Sequence, residues 1–302
     1  MPFEAPLAAA SVDRHVERRT DPGLMAGLLA SRDTRVLLVK GNLIQALPPD
    51  DHGRARVAYL TPPEPLPEGV GLYLGSSGGL DYVGLVVDGG DLEGPSQDVD
   101  WVSLREVGGH LGERDVAVVA SATALAVWHG EARFCPSCGA PTRVVHAGWV
   151  RRCTAEAKEL FPRMDPAVIV AVTDHADRLL LARAQHFGPG RYSVLAGFVD
   201  AGESLEAAVR REVGEEVGLE LGRVSYLGSQ SWPFPRSLMC AFEAQARGTD
   251  LTLDTEELAE AHWFTRAEFA AAIADGSVHV APRSAIARSQ IERWYGRALD
   301  LP

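Results

Sequence analysis

Three glutamates, Glu212, Glu215 and Glu216, stand at i, i+3 and i+4 near the end of the segment SLEAAVRREVGEEVG. On a helix this spacing gathers the carboxylates within an arc of about 100°. The charges repel one another, and at the C-terminal end they also oppose the helix macrodipole, so the arrangement gains nothing by itself. A divalent cation relieves both costs. Hard carboxylate oxygens suit Mg²⁺ or Mn²⁺, which bind through a few carboxylates together with a substrate phosphate. A solvated acidic helix face is the plainer alternative. The loop before the helix, GFVDAGE, favours the metal reading, because Gly197 and Gly202 let backbone fold against the helix start and Glu203 can pair with Arg211.

The string 197–219 fits G-x5-E-x7-R-E-U-x-E-E-x-G-U at every specified position: Gly197, Glu203, Arg211, Glu212, Val213, Glu215, Glu216, Gly218 and Leu219. It resembles the Nudix box. The resemblance implies a Nudix α/β/α sandwich and metal-assisted hydrolysis of a nucleoside diphosphate linkage. It assigns Glu212, Glu215 and Glu216 to the metal, and Arg211 and Glu203 to holding the loop against the helix.

Cysteines supply a second constellation. Cys135 and Cys138 form a C-x2-C knuckle and Cys153 follows after fourteen residues, three quarters of a four-thiolate zinc ribbon. Glu156 occupies the fourth position and offers a harder oxygen ligand; His146 is another candidate for that place. Two readings stand, a Zn²⁺ site completed by one of these side chains and a ribbon that keeps its hairpins without metal. Cys240 lies in the apolar run SLMCAFEA, which predicts a buried, inert thiol.

A third feature, SQSWPFPRS at 229–237, resembles the SQPWPFPxS array of NADH pyrophosphatases (NAD diphosphatases and NAD-cap-removing RNA hydrolases), with Ser231 in place of proline. Ribbon, box and array follow that family's order across 134–296. Indole and phenyl faces suit stacking of adenine or nicotinamide, worth roughly 1–3 kcal/mol per base. The resemblance implies that Phe198 and Trp232 flank a bound dinucleotide, with Trp232 supplied by a partner subunit of a homodimer. Further binding positions fall on Phe161 (often tyrosine in the family), Ala196, Gln230, Ser231, Pro233, Phe234, Pro235, Arg236, Ser237 and Ala287. Glu257, in DTEELAEAHWF, matches an additional metal-binding glutamate; on its own it reads as an exposed acid at a helix start. The implied reaction is hydrolysis of NADH or NAD⁺ to NMN(H) and AMP, with the NAD-capped 5′ end of RNA as a second substrate. A non-catalytic NAD or ADP-ribose sensor is the alternative from another class. Loss of box glutamates would mark it, and Glu203, Glu212, Glu215 and Glu216 are all present.

Composition sets outer bounds. The 302 residues are 46% hydrophobic and 23% charged, as expected of about two ordinary globular domains. A net charge of −12 disfavours an extended nucleic-acid footprint. The most apolar stretch, Val116–Trp128, is too short and too polar for a membrane span, and the N-terminus lacks a signal-peptide pattern, so a cytoplasmic protein is expected.

These groups need an α/β framework to hold them. Strands are predicted at TRVLLVK, ARVAYLTP, VGLYLG, DYVGLVV and WVSLREV, separated by PPDD, PPEPLPEG and DGGDLEGP, with a helix at Glu113–Glu131. After the ribbon, strands are predicted at PAVIVAVTD, RLLLARA, RYSVLAGFV and SLMCAFEAQAR. Helices fall at 205–217, with Ser204 as N-cap and Gly218 as stop, and near 266–275 and 284–296. The expected class is α/β (α+β). The expected domains are an N-terminal α/β domain at 1–132, a ribbon-like segment at 133–163 and a Nudix domain at 164–302.

Overall fold

The computed structural model describes residues 2–8, 10–62, 66–87 and 99–299. The turn-rich stretch Asp88–Pro95 lies outside them, as do residues 63–65 of the Pro-rich stretch PPEPLPEG. The chain forms two units. One comprises the chain start up to Pro6, Asp165–Ser231 and everything from Ser237 onward; the other comprises Leu7–Met164 and Trp232–Arg236.

Among the described residues, the second of these units contains a seven-stranded mixed sheet built from β1 (Thr34–Lys40), β2 (Leu43–Leu47), β3 (Arg56–Val57), β4 (Tyr59–Leu60), β5 (Val70–Ser77), β6 (Leu80–Val86) and β7 (Asp100–Ser103). Its path runs β3-β2-β1-β6-β5, with β4 on β1 and β7 on β2; β1 and β6 are parallel. Both faces are covered. Leu37, Val39, Leu72 and Leu74 pack against Val116, Val119 and Leu125 of the long helix α3 (Glu113–Glu131), and Val36, Leu38, Val83 and Leu85 pack against Leu24 and Leu28 of α1 (Leu24–Leu29). Helix α3 is apolar nearly all round because it is almost wholly buried. No helix among the described residues is long and apolar enough to cross a membrane.

Two local expectations change here. WVSLREV is strand only through Ser103; a capping box between Ser103 and Glu106 turns the rest into the short helix α2 (Leu104–Val107). LIQAL, outside the predicted strands, is β2, closing a hairpin on β1 across Gly41 at φ +61°. The ribbon is a three-stranded antiparallel sheet, order β10-β9-β8, from β8 (Thr142–Val145), β9 (Val150–Cys153) and β10 (Glu159–Leu160).

The other unit is an α/β/α sandwich. Its six-stranded sheet contains β11 (Asp165–Thr173), β12 (Leu179–Ala184), β13 (Leu195–Phe198), β14 (Leu221–Trp232), β15 (Ser237–Ala246) and β16 (Leu258–Phe264). Strand β11 runs parallel to β15 over nine residues and antiparallel to β13. The apolar run VIVAV in β11 reflects burial on both faces. Val168, Val170 and Val172 meet Val209, Val213 and Val217 of α4 (Leu205–Val217), while Ile169 and Ala171 meet Phe269 of α5 (Arg266–Ala274) and Ile291 and Trp294 of α6 (Ile286–Tyr295). The strand expected over RYSVLAGFV is confined to β13, with Ser193 adding a single bridge to Ala182. Cys240 is buried on β15, and burial pushes its thiol pKa up.

Candidate active site

Helix α4 begins where expected. Ser204 Oγ accepts from the Ala207 amide at 3.2 Å, and Gly218 ends the helix at φ +72°. A Cβ at 218 would also lie 2.9 Å from Thr252 Cβ, so space and backbone both demand glycine. With Val209, Val213 and Val217 locked into the core, the adjoining arc carrying Glu212, Glu215 and Glu216 has a fixed direction, with Glu216 nearest the buried stripe.

Arg211 organises the loop side of this arc. Its Nε and Nη2 donate to the two Glu203 oxygens at 3.0 and 2.9 Å, a fork-to-fork pair. Nη1 donates to Glu212 Oε1 at 2.8 Å and Glu215 Oε2 at 3.0 Å, and Nη2 also reaches the Phe198 carbonyl at 2.9 Å. Glu203 in turn accepts from the Asp200 amide. The Arg211 hydrogen bonds hold the Glu203 pKa below the ordinary carboxylate range, and the three carboxylates raise that of the guanidinium.

Glu216 faces the opposite situation. It is 7% exposed, and its Oε2 is buried with no hydrogen-bond partner. Burial, followed by repulsion from Glu212, Glu257, Asp254 and Glu215, pushes its pKa up to about 8. Burial also raises that of Glu212, against the pull of Arg211. Glu215 is largely exposed. Glu257 is exposed in the turn just before strand β16, so it does not start a helix. Gln185 brackets that turn: its amide donates to Glu257 O at 2.8 Å and its Nε2 to Thr255 O at 2.9 Å. The Asp254 amide ties the turn to α4 through Glu216 O at 3.0 Å. Neither Gln185 nor Asp254 is part of the box. Asp254 could have been noticed in the acidic string DTEE, whereas Gln185 leaves no signal because its role depends on a contact 70 residues away.

A buried carboxylate oxygen without a donor, among carboxylates that repel it, fits a divalent cation held by hard oxygens.

The positions expected from the resemblance to bind a dinucleotide are distributed. Ala196 and Phe198 lie on β13, both exposed, Phe198 at 59%. Gln230 is buried and donates to Ser284 O at 3.0 Å, one turn before Ala287, which is buried in the first turn of α6. Ser231 is half-buried and Ser237 buried. Trp232, Pro233, Phe234, Pro235 and Arg236 belong to the unit that holds the ribbon. There Trp232 meets Phe234 edge-on at 4.9 Å, the Arg105 guanidinium lies 5.7 Å from the Trp232 ring centre, and Arg236 pairs with Glu131 at 2.6 Å. Phe161 follows β10 and is 60% exposed.

In the ribbon, one ligand atom from each of Cys135, Cys138, Cys153 and Glu156 lies within 4.8 Å of every other. Cys138 and Cys153 sulfurs are 3.5 Å apart, and Cys135 Sγ is 4.0 Å from Glu156 Oε2. Three thiols and a carboxylate converging in this way fit a tetrahedral cation such as zinc. His146 is not part of the group; it begins a left-handed turn at 146–148, and its Nε2 lies 3.9 Å from Glu159 Oε1. All four cysteines are free thiols.

Comparisons with known proteins agree with this layout. A model of the NUDIX domain matches residues 163–283, and a model of the NADH pyrophosphatase zinc ribbon domain matches residues 131–157. The NAD-capped RNA hydrolase NudC of Mycobacterium tuberculosis is 46% identical over 209 residues, 66% of this chain and 67% of that protein. The NAD-capped RNA hydrolase NUDT12 of Macaca fascicularis is 40% identical over 197 residues, covering 61% of this chain and 42% of that protein. Among solved structures, a NUDIX hydrolase from Nitrosomonas europaea aligns with 55% of this chain and 94% of its own at 20% identity and a TM-score of 0.41. Identity at the level of the mycobacterial relative, sustained over two thirds of both proteins, makes the chain a member of the NADH pyrophosphatase family of Nudix hydrolases.

Proposed function

We propose that this enzyme hydrolyses the pyrophosphate of NADH and NAD⁺ to NMN(H) and AMP, and cleaves the same linkage in NAD-capped RNA, releasing NMN and leaving a 5′-monophosphate on the RNA. The observation that carries the metal-dependent chemistry is Glu216, a buried carboxylate oxygen with no donor, set among other carboxylates. Family membership and the activity of the relatives, both NAD-capped RNA hydrolases, support the substrate.

Glu212, Glu215, Glu216 and Glu257 would hold Mg²⁺ or Mn²⁺. When bound, the ion neutralises charge on the phosphates and lowers the pKa of a coordinated water. The chain's own residues set the stage. Arg211 and Glu203 hold the 198–203 loop against α4 and keep Glu212 and Glu215 extended along one edge. Phe198 presents an exposed ring for stacking a base. The family resemblance carries Phe161, Ala196, Gln230–Ser237 and Ala287 to the same ligand. The chain is proposed to act as a homodimer in the cytoplasm, where four free thiols and a cysteine-rich metal site suit the reducing conditions.

Product analysis across NADH, NAD⁺, ADP-ribose and an NAD-capped transcript, each with Mg²⁺ and Mn²⁺, tests the reading. AMP release from NADH is expected and should fall by orders of magnitude in Glu216→Gln. Tight NAD binding with no AMP release under either metal would instead indicate a sensor. Light scattering tests the dimer.

A further inference from the structure

The two knuckles of the ribbon have the same backbone although their ligands differ. In the first, Cys135 and Cys138 stand three apart, the Gly139 amide donates to Cys135 O at 2.9 Å, and Gly139 is left-handed at φ +73°. In the second, Cys153 and Glu156 stand three apart, the Ala157 amide donates to Cys153 O at 3.1 Å, and Ala157 is left-handed at φ +57°. Left-handed backbone is strained for alanine and unstrained for glycine, and such strain persists where the surroundings over-determine it. The Glu156 amide also donates to Cys153 Sγ at 3.4 Å, as a knuckle amide does toward a thiolate. Glu156 therefore stands in the second turn where Cys138 stands in the first, with its carboxylate inside the thiol cluster.

We propose that Glu156 is the fourth ligand of a zinc ion and makes this ribbon an exchangeable zinc site, unlike a closed four-thiolate one. The chemistry follows from the donor set. Three soft thiolates retain zinc, while a hard carboxylate competes poorly with water for the fourth position. Replacement of the carboxylate by water opens a coordination place through which an incoming chelator or thiol can attach before the thiolates let go. Cys138 is exposed whereas Cys135 and Cys153 are buried, so the face available to such a partner is the one bearing Cys138. Strands β8, β9 and β10 are short, and the two knuckles precede or join them, so ribbon order becomes linked to free zinc.

The test uses the full-length protein loaded with one equivalent of zinc or cobalt. Zinc transfer to a colorimetric chelator is followed in the unsubstituted chain, in Glu156→Cys and in Glu156→Ala. Glu156→Cys should slow transfer about tenfold or more, and Glu156→Ala should speed it. The cobalt form of Glu156→Cys should show stronger thiolate charge-transfer absorption per metal, and that of Glu156→Ala an altered ligand-field band. If Glu156→Ala leaves both the cobalt spectrum and the transfer rate unchanged, the carboxylate is not a ligand and the proposal fails. It fails equally if the folded chain takes up no zinc. Glu156→Ala keeps the test decisive should the added thiol misfold, and none of these readouts depends on dinucleotide hydrolysis.

Discussion

Gly197 lies directly against the carboxylate of Glu212: a Cβ built on Gly197 would fall within the volume of the Glu212 carboxyl group. The first glycine of the box is thus a steric requirement of a glutamate fifteen residues later, with no positive φ involved. Gly197→Ala should push Glu212 off its position and lower turnover about 100-fold, with thermal stability changed little. Steady-state kinetics beside a melting curve checks this, and wild-type turnover would contradict it.

Glu216 gives the metal-free protein a pH dependence of definite sign. Its folded pKa, near 8, lies above the ordinary carboxylate value of 4.5, so between those limits the folded state binds more protons than the unfolded state. Stability should therefore be highest below about pH 4.5 as far as this group is concerned, fall as pH rises, and level off above about 8. The loss is on the order of a few kcal/mol. Melts from pH 5 to 9 in EDTA should show the decline, Mg²⁺ or Mn²⁺ should reverse it, and Glu216→Gln should flatten it.

Arg211 holds four acceptors at once, two on Glu203 and one each on Glu212 and Glu215, besides the Phe198 carbonyl. Lysine keeps the charge but cannot reproduce the planar fork. Arg211→Lys should raise the metal concentration needed for half-maximal rate about tenfold or more, a shift read directly from Mn²⁺ titrations. An unchanged metal requirement would show that the arginine acts only as a charge.

Phe198 separates binding from folding, since its ring is 59% exposed and supports no core. Phe198→Ala should leave the melting temperature unchanged and raise KM for NADH by about 5- to 100-fold, the range expected for one lost stacking partner. Loss of stability without a KM effect would remove the residue from the site.

How much of this was legible in the sequence depended on how local the cause was. Helix α4 could be read to the residue because its cap, its stop and its valine stripe all lie within fifteen positions. Strand β11 was legible because a six-residue apolar run rich in β-branched side chains, 167–172, is what a strand buried on both faces requires. By contrast, Glu257 read as a helix start, because its turn is held by Gln185 from a distant strand end. The end of β7 was lost to a capping box that outweighed the strand-like pattern of Val102 to Val107. The shared backbone of the two ribbon knuckles was half visible: the spacing pointed to Glu156, but the left-handed Ala157 needed coordinates.

The parallel pairing of β11 with β15 bears on how the molecule is made. About 70 residues separate the two strands, so at a synthesis rate of roughly 5–20 residues per second β11 waits several seconds for its principal neighbour. In that interval β11 has β12, β13 and α4 beside it but not β15, and the edge that β15 will occupy is free to pair with other chains. Slower decoding between Ala184 and Ser237 would lengthen that exposure, so yield of folded enzyme should be more sensitive to codon choice there than after Ala246.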